Sequence, residues 1–342
     1  MTTIKDVAKQ AGVSVSVVSK TFNNYADVKE ATRQKIFAVA KELGYTPNIV
    51  AKNLSSKKQM TVGLISSGVL NNNDKDNNAF DIFKGVYTAV SVSDYELSIY
   101  LIDTEEQQEK SYAQYCRERN IGGAILQGIR TDDPYYKELI DTNIPCVVLD
   151  IMRETENGLI GSVSIDNAKA AEDITSHLLA CNHRDIVIMA GTAETYVNKE
   201  RLRGARKALS EAGIPPEAVQ VLDGEFSEEK AYELAKRHLL THRPTAFICF
   251  SDLMAFGVMR AAEEAGLKIP DDMSVTGFDD LVISRYTQPR LTTIRQDFTE
   301  IGRTAAQLLL DLITQKEERH HITVGHQLMA RGTVRTIDRM NG

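Results

Sequence analysis

From Met60 onward, short runs rich in β-branched residues alternate with longer stretches of helical periodicity. The predicted strands are Thr61–Ser66, Glu96–Asp103, Gly123–Gln127, Cys146–Asp150, Gly161–Ile165, Asp185–Ala190, Ala218–Asp223, Ala246–Ser251 and Ser274–Phe278. The predicted helices are Ala79–Val92, Glu105–Arg119, Asn167–Leu179, Lys199–Ala212, Glu228–Leu239, Leu253–Ala265 and Phe298–Thr314. Strands that alternate with helices form parallel sheets covered on both faces. Because one sheet of about ten strands is less common than two of ordinary size, we expect two lobes.

A helix-turn-helix pattern precedes this region, in the stretch TIKDVAKQAGVSVSVVSKTFNN that begins at Thr3. Lys5–Gln10 favours a short helix, Gly12 suits a turn with positive φ, and Ser14 is a good N-cap for the next helix. That helix is predicted over Val15–Asn23. A third, amphipathic helix is predicted over Ala31–Leu43, with Gly44 as its stop.

The two faces of the second predicted helix differ. Val18 and Phe22 fall on one side, where they can pack against Val7 and Val13. The N-terminal residues of such a helix reach base edges in the major groove of DNA. Lysine can donate to guanine O6 and N7, and valine methyls can contact a thymine methyl. The side of the helix predicted to face DNA carries Val15, Ser16, Ser19 and Lys20. The same residue types also occur in structural hairpins, which is the alternative to DNA binding.

Charge is distributed unevenly along the chain. Residues 1–59 carry nine lysines and one arginine against four acidic residues, whereas the remainder has a net charge of −13. A basic head on an acidic body is the electrostatic pattern expected when the head alone approaches phosphate groups.

Composition excludes several other classes of protein. The sequence has no apolar run of some 18 residues, and its N-terminus lacks the apolar segment of a signal peptide, so we expect a cytoplasmic protein without membrane contact. The four cysteines have no C-x-x-C spacing, which favours buried reduced thiols. Histidines lack acidic or thiol partners at ligand spacing, so no metal or other cofactor is expected.

The helix-turn-helix stretch that begins at Thr3, taken together with Glu30–Tyr45 and Pro47–Leu54, resembles the lactose/galactose repressor (LacI/GalR) family of bacterial transcription regulators. Two positions depart from the family's opening T-I-x-D-V-A-x-x-A-G-V-S-x-x-T-V-S-R-x-x-N. Val17 stands where threonine is usual, and Lys20 replaces arginine. The matching residues are Thr3, Ile4, Asp6, Val7, Ala8, Ala11, Gly12, Val13, Ser14, Val18, Ser19 and Asn23.

The resemblance implies an N-terminal all-α helix-turn-helix headpiece and an α/β effector core of two parallel-sheet lobes, similar to periplasmic sugar-binding proteins. The chain is expected to cross between lobes near Ile165, Leu291 and Ile322. The implied divisions are a headpiece over 1–46, a hinge helix and linker over 47–59, and a core over 60–342, with an N-lobe of about 60–163 and 293–321 and a C-lobe of about 164–292 and 322–340.

The hinge prediction concerns Asn48–Ser55, which is too short for a stable isolated helix. In the family, the matching segment forms a helix when a dimer sits on its operator, and a leucine is wedged into the minor groove. Leu54 matches that leucine and Ala51 lies on the same face, although an inert linker is the alternative. The predicted DNA-binding residues are Thr3, Ser14, Val15, Ser16, Ser19, Lys20, Asn23, Ala51 and Leu54.

A ligand is expected beyond the carboxyl ends of the parallel strands, where two lobes would face each other. Aspartates follow several strands, but each could instead cap a helix, and for Asp252 we prefer the capping role. Arg201, in KERLRG, matches the family's R-x-x-G motif, whose arginine binds effector hydroxyls or a carboxylate. Phe226 could also be a core residue. By resemblance, the effector-binding residues are Phe80, Asp150, Arg201, Phe226, Ser251, Asp279 and Gln296.

The resemblance therefore implies a homodimeric, ligand-responsive repressor of a carbohydrate-utilisation operon, which binds a pseudo-palindromic operator of double-stranded DNA. Its small-molecule effector would be a sugar or sugar derivative, acting as inducer or corepressor. A sugar-binding transport protein and a sugar-processing enzyme with the same core fold are the alternatives. The basic head argues against transport, and the lack of a G-x-S-x-G elbow or a phosphate-binding P-loop argues against an enzyme.

Overall fold

A computed structural model describes residues 2–22, 25–46, 60–67, 78–139, 141–152, 157–315 and 320–338. The chain divides into two compact units, residues 1–59 and 60–342. Separate hydrophobic clusters lie inside each unit, as expected for regions that fold around their own cores.

Three helices make up the described part of the first unit: α1 (Ile4–Ala11), α2 (Val15–Phe22) and α3 (Glu30–Glu42). The predicted turn is confirmed, because Gly12 ends α1 in the left-handed region with φ 66°. Ser14 Oγ accepts a hydrogen bond from the Val17 N–H at 3.3 Å, as expected of the predicted N-cap. Val7, Val18 and Ile36 are fully buried, one from each helix, so the three helices share one small core.

The larger sheet of the second unit has six parallel strands in the order β11-β5-β4-β3-β1-β2. Its strands are β1 (Thr61–Ser67), β2 (Glu96–Ile102), β3 (Ile121–Gln127), β4 (Cys146–Leu149), β5 (Ile160–Ile165) and β11 (His321–Val324). The helices that belong to this lobe are α4 (Asn78–Val90), α5 (Thr104–Glu109), α6 (Tyr112–Glu118), α7 (Pro134–Glu138) and α12 (Phe298–Thr314).

The smaller sheet has four parallel strands in the order β7-β6-β8-β9. Its strands are β6 (Ile186–Ala190), β7 (Gln220–Asp223), β8 (Ala246–Cys249) and β9 (Ser274–Thr276). The accompanying helices are α8 (Asn167–Ala180), α9 (Tyr196–Glu211), α10 (Glu228–Leu239) and α11 (Asp252–Glu264). The expectation of two parallel-sheet lobes is therefore confirmed.

Two further strands, β10 (Thr293–Gln296) and β12 (His326–Met329), pair antiparallel with each other. Both lie in the segments that connect the lobes, close to the predicted crossings. Strand β11 pairs with β5, so the larger sheet extends to Val324. The numerical limits of the two lobes remain a prediction.

Several predicted elements need correction. The helix predicted over Glu105–Arg119 is interrupted at Lys110, which has an extended backbone, and Ser111 caps the next helix by accepting from the Gln114 N–H at 3.1 Å. Residues Pro216–Ala218 form a 3-10 turn, so β7 begins only at Gln220. Strands β10, β11 and β12 were not predicted, because each is four residues long and acquires its pairing from distant parts of the chain.

The described residues also bear on membrane and metal sites. No helix among them has the length and apolar character needed to cross a membrane. Within the same part of the chain, no three His, Cys, Asp or Glu side chains are grouped to hold a metal ion. Three cysteines are buried thiols, and burial raises the pKa of Cys116 to about 12.

Helices α4 and α12 approach so closely that glycine is required on both. A Cβ atom on Gly302 would lie 2.2 Å from the Ile82 carbonyl oxygen, and one on Gly85 would lie 2.0 Å from the Thr299 carbonyl oxygen. These two contacts hold the first helix of the larger lobe against the last.

We expect Gly302→Ala to lower the free energy of unfolding by roughly 1–3 kcal/mol, because the added methyl group would push the helices apart. Urea denaturation measures the change. Gly325→Ala is the matched control, since a Cβ there meets nothing within 4 Å. Equal losses in the two variants would contradict this account of the helix contact.

Candidate functional site

The exposed side of α2 is the candidate DNA-binding face, consisting of Ser14, Val15, Ser16, Ser19 and Lys20. Val15 is 40% exposed although it is apolar, and Ser14 and Ser16 are also exposed. Val18 on the opposite side is fully buried, so the predicted division of the helix into two faces is confirmed. Val17, at the position where the family has threonine, packs against the headpiece core.

Lys20 has a partner that the sequence reasoning missed. Its ammonium forms a charged hydrogen bond with the carboxylate of Asp27, in the turn that follows α2. Hydrogen bonding to Asp27 raises the pKa of Lys20, and the same bond lowers the pKa of Asp27. Helix α2 ends between the two residues, so helical periodicity could not reveal the pair.

The other predicted DNA-binding residues have varied placements. Thr3 begins α1, where its N–H and hydroxyl both donate to the Asp6 carboxylate, at 2.8 and 2.7 Å. Asn23, Ala51 and Leu54 lie outside the described residues. The roles of all these residues in DNA binding therefore remain predictions.

The candidate ligand cleft is organised around Arg201 on α9, which is only 5% exposed. Its Nε donates to Asn167 Oδ1 at 2.9 Å, and its Nη1 donates to the carbonyl oxygen of Phe250. The guanidinium carbon lies 3.6 Å from the centroid of the Phe278 ring. Burial lowers the pKa of Arg201, while the charges of Asp279 and Asp150 oppose that shift. These contacts hold the guanidinium rigidly at the carboxyl ends of the smaller sheet's strands.

Asp150 reaches this network from the larger lobe. Its Oδ1 accepts from the Ser164 hydroxyl at 3.1 Å, and the Ser164 oxygen in turn accepts from Asn167 Nδ2 at 3.1 Å. Desolvation raises the pKa of Asp150, and Arg201 and Ser164 partly offset the effect. A hydrogen-bonded chain thus connects Asp150 to Arg201 through Ser164 and Asn167. Neither intermediate residue was predicted, although Asn167 lies only two residues beyond the end of β5.

Asp279 and Gln296 form the next part of the cleft. Gln296 is 7% exposed, and its Nε2 donates to Asp279 Oδ1 at 2.7 Å. Gln296 Oε1 is buried and has no hydrogen-bond partner among the described residues. Such an acceptor is costly to leave without a donor, so it marks a place where a ligand hydroxyl or amine would be stabilised.

Three of the predicted cleft residues have a left-handed backbone, a conformation that other described residues such as Asn120, Asn182 and Gln315 also adopt. Asp150, Phe226 and Asp279 have φ values of 61°, 57° and 116°, in the region that favours glycine. Strained backbone at non-glycine residues is concentrated at functional sites. The Phe226 ring lies directly over Gly191, where a Cβ would approach it to 2.0 Å.

A cavity of about 300 Å³ adjoins Asp279 and Gln296. The beginning of α4 contributes Asn78 and Asp81, and the beginning of α12 contributes Phe298. Phe80 does not line this cavity: its side chain is 65% exposed and its ring centroid lies 6.1 Å from that of Phe83. Of the predicted effector-binding residues, only Asp279 and Gln296 line this cavity, so the cleft roles of Phe80, Asp150, Arg201, Phe226 and Ser251 remain predictions that it does not support.

The preferred capping role of Asp252 is wrong. Ser251 is the N-cap of α11, because its Oγ accepts from the Met254 N–H at 3.2 Å. Asp252 is instead fully buried and accepts hydrogen bonds from the Leu281 N–H and from the hydroxyls of Ser284 and Thr293. Burial raises the pKa of Asp252 to about 7. Its partners lie far along the chain, so a local N-cap pattern could not reveal them.

Asp280 is the centre of a second unpredicted cluster. Its buried carboxylate pairs with three guanidiniums, those of Arg285, Arg295 and Arg331. Burial would raise the pKa of Asp280, but hydrogen bonds from Arg295 and Arg331 outweigh it and lower the value. The cluster joins the end of the smaller sheet to the connecting strands.

Comparisons with known proteins agree with this architecture. The family model "Bacterial regulatory proteins, lacI family" matches residues 3–48, and "Periplasmic binding protein-like domain" matches residues 175–334. The chain is 34% identical to the probable HTH-type transcriptional repressor ExuR of Bacillus subtilis, over 98% of this chain and 99% of that protein. It is 31% identical to the HTH-type transcriptional repressor PurR of Photobacterium profundum, over 99% and 100% respectively.

Solved structures give the same result. The lac repressor dimer bound to operator and the anti-inducer ONPF is 28% identical, with a TM-score of 0.86 over 98% of this chain and 99% of that one. The complex of the transcriptional regulator CelR with cellobiose is 28% identical, with a TM-score of 0.73 over 97% and 100%. The likeness spans headpiece and core together, and the chain therefore belongs to the lacI family of bacterial regulatory proteins.

Proposed function

We propose that this protein is a ligand-responsive repressor of a carbohydrate-utilisation operon, which binds a pseudo-palindromic operator as a homodimer. One observation carries the proposal: the chain that presents an exposed helix-turn-helix face also has a buried arginine, Arg201, whose charge interacts with those of Asp279 and Asp150. The relatives named above are transcriptional repressors, which favours this function over transport or catalysis. A DNA target implies a cytoplasmic location.

The headpiece supplies the features needed for DNA. Its residues belong to the basic part of the chain, and the exposed face of α2 presents hydroxyl, methyl and ammonium groups. Basic charge steers the head toward phosphate, while hydroxyls and the lysine ammonium can reach base edges. In one relative, the lac repressor dimer, the structure contains the operator itself.

The cleft suits a hydroxyl-rich ligand. Asp150, Asp279 and Gln296 Oε1 are hydrogen-bond acceptors, and the Arg201 guanidinium interacts electrostatically with both aspartates. A planar guanidinium beside a carboxylate can hold vicinal hydroxyls of a sugar, and the Phe226 ring offers an apolar surface for stacking. The CelR structure, which contains cellobiose, makes a sugar or sugar derivative the favoured effector.

Dimerisation would cover two groups of exposed apolar side chains. Tyr87 on α4 is 57% exposed, and Ile99 and Leu101 on the edge strand β2 are 48% and 45% exposed. The second group, which we call the 282–286 patch, consists of Val282, Ile283 and Tyr286 with exposures of 56%, 49% and 77%. Large contiguous apolar surfaces are typical of protein interfaces, and a second copy of the chain is the occupant we propose.

Regulation would follow from movement of the lobes. An effector that binds Asp150 from one lobe and Arg201 from the other favours a particular arrangement of the two, and each arrangement would present the hinge segments differently to DNA. Because binding energies are linked, the effector changes operator affinity by the factor by which the operator changes effector affinity. We propose the lobe limits given in the sequence analysis, and the hinge role of Leu54, as parts of this mechanism.

Arg201→Ala and Arg201→Lys should retain operator binding but lose the response to the effector, since neither variant keeps the guanidinium fork. A duplex selected by the wild type serves as operator in a gel-shift assay. A panel of mono- and disaccharides with their acid and phosphate derivatives serves as effectors. Thermal unfolding verifies that each variant is folded.

Arg203→Ala is the control for these variants, because Arg203 lies on the same helix, is 64% exposed and forms its ion pair with the neighbouring Glu200. It should respond like the wild type. A normal response in either Arg201 variant would exclude Arg201 from the effector site. Failure of the wild type to bind any selected duplex, or turnover of a sugar in the panel, would contradict the proposed function itself.

We expect Ile283→Asp to convert the dimer into monomers, because it places a charge inside the 282–286 patch when that surface is covered. Sedimentation equilibrium measures the change in mass. Leu240→Asp is the control: Leu240 is 81% exposed at the end of α10, outside both apolar groups, and its substitution should leave the mass unchanged. A dimeric Ile283→Asp protein would place the interface elsewhere.

A further inference from the structure

Asp27 introduces a negative charge at the side of the headpiece proposed to face DNA. Its carboxylate accepts a charged hydrogen bond from Lys20, and the two side chains are 54% and 43% exposed. A carboxylate next to a phosphate backbone weakens binding by repulsion. Attraction to DNA therefore does not explain the position of Asp27, which calls for another role.

The turn that carries Asp27 is held in place by the helices on both sides of it. The Tyr25 N–H donates to the Lys20 carbonyl oxygen at 3.0 Å, which ties the turn to the end of α2. Arg33 on α3 donates to the carbonyl oxygens of Tyr25 and Thr21, at 2.9 and 3.3 Å. The side chain of Arg33 is only 16% exposed, and its bond to Thr21 is partly buried, whereas the bond to Tyr25 is exposed. Asp27 is consequently presented to Lys20 by a fixed backbone.

Folding does not explain the ion pair. Exposed pairs of this kind contribute little to stability, because water screens them and ordering a long lysine side chain costs entropy. The effect on Lys20 itself is larger. A free lysine side chain has many rotamers and acts as a mobile point charge, whereas one donor of the Lys20 ammonium is now directed at Asp27. The ammonium has three donors, so the others remain available for an acceptor outside the protein.

We propose that Asp27 is a specificity-determining positioning residue, which holds the Lys20 ammonium at one place on the DNA-binding face and prevents it from binding arbitrary phosphates. The inference rests on the proposed function, since it requires that the headpiece binds DNA. Lys20 directed in this way can donate to guanine O6 and N7, and the local negative charge of Asp27 lowers affinity for random sequence. Asp27 thus lowers the affinity of the headpiece for DNA of random sequence and increases its preference for the operator.

This role predicts that removal of the Asp27 carboxylate changes the affinity for random DNA and the preference for the operator in opposite directions. Without the carboxylate, Lys20 can swing to the nearest phosphate, so affinity for random DNA should rise and its salt dependence should steepen by about one phosphate contact. Preference for the operator over random DNA should fall by roughly tenfold, because the base contact is no longer fixed. A residue that merely stabilised the headpiece would lower both affinities together.

The experiment selects duplexes from a random pool of about 20 base pairs, long enough for two half-sites. It uses the full-length wild type, Lys20→Ala, Asp27→Asn and Asp27→Glu in parallel. We expect Lys20→Ala and Asp27→Asn to lose base preference at the same position of each half-site and to retain it elsewhere. Asp27→Glu keeps the charge and should restore part of that preference. Fluorescence anisotropy on random DNA over a range of salt concentrations measures the general affinity and its slope.

Glu42→Gln is the charge-matched control, because Glu42 is another exposed headpiece carboxylate, at the end of α3. It changes the net charge by the same amount and should leave the selected motif intact. An unchanged motif in Asp27→Asn, a loss at a different position from Lys20→Ala, or the same loss in Glu42→Gln would overturn the inference while the proposed function stands. Failure of the wild type to select any motif would instead refute DNA recognition, and the inference with it.

Discussion

The buried guanidinium of Arg201 is the interaction on which the arrangement of the candidate cleft depends. A charge removed from water must be paired and hydrogen-bonded, or it destabilises the fold by several kcal/mol. Here the partners come from separate elements: the start of α8 supplies Asn167, the residue after β8 supplies a carbonyl oxygen, and the residues after β9 supply the Phe278 ring. This one group connects the ends of β8 and β9 with the start of α8, and the chain through Asn167 and Ser164 extends the network to Asp150, which follows a strand of the larger sheet.

One short segment, residues 279–286, joins this network to the molecular surface. Asp279 faces Gln296 in the cleft, Asp280 binds three guanidiniums, and the backbone of Leu281 donates to buried Asp252. The next residues form the 282–286 patch that we assign to dimerisation. Asp252 and Asp280 thus fix the segment from two sides through hydrogen bonds and ion pairs.

The headpiece uses charge in a different way. Its core of Val7, Val18 and Ile36 is apolar and small, while the Lys20–Asp27 pair lies in water and adds little to the stability of the fold. In the proposed complex the same pair would interact more strongly, because DNA would exclude the water around it. The residues that form the headpiece core are therefore different from those that we propose for recognition.

Sequence alone determined the local features of this protein. Gly12 and Ser14 specified the turn and cap of the helix-turn-helix, and the alternation of strands and helices specified two parallel sheets, since both signals depend on neighbouring residues. The resemblance to the family's R-x-x-G motif also drew attention to Arg201, which the structure buries at the strand ends of the smaller sheet. Tertiary structure alone decided that Ser251 caps α11 while Asp252 is a buried acceptor, that β10 pairs with β12, and that Asp27 pairs with Lys20. Each of these depends on which groups meet after the chain has folded, and on the loss of water around them, and none is encoded in the periodicity of a single segment.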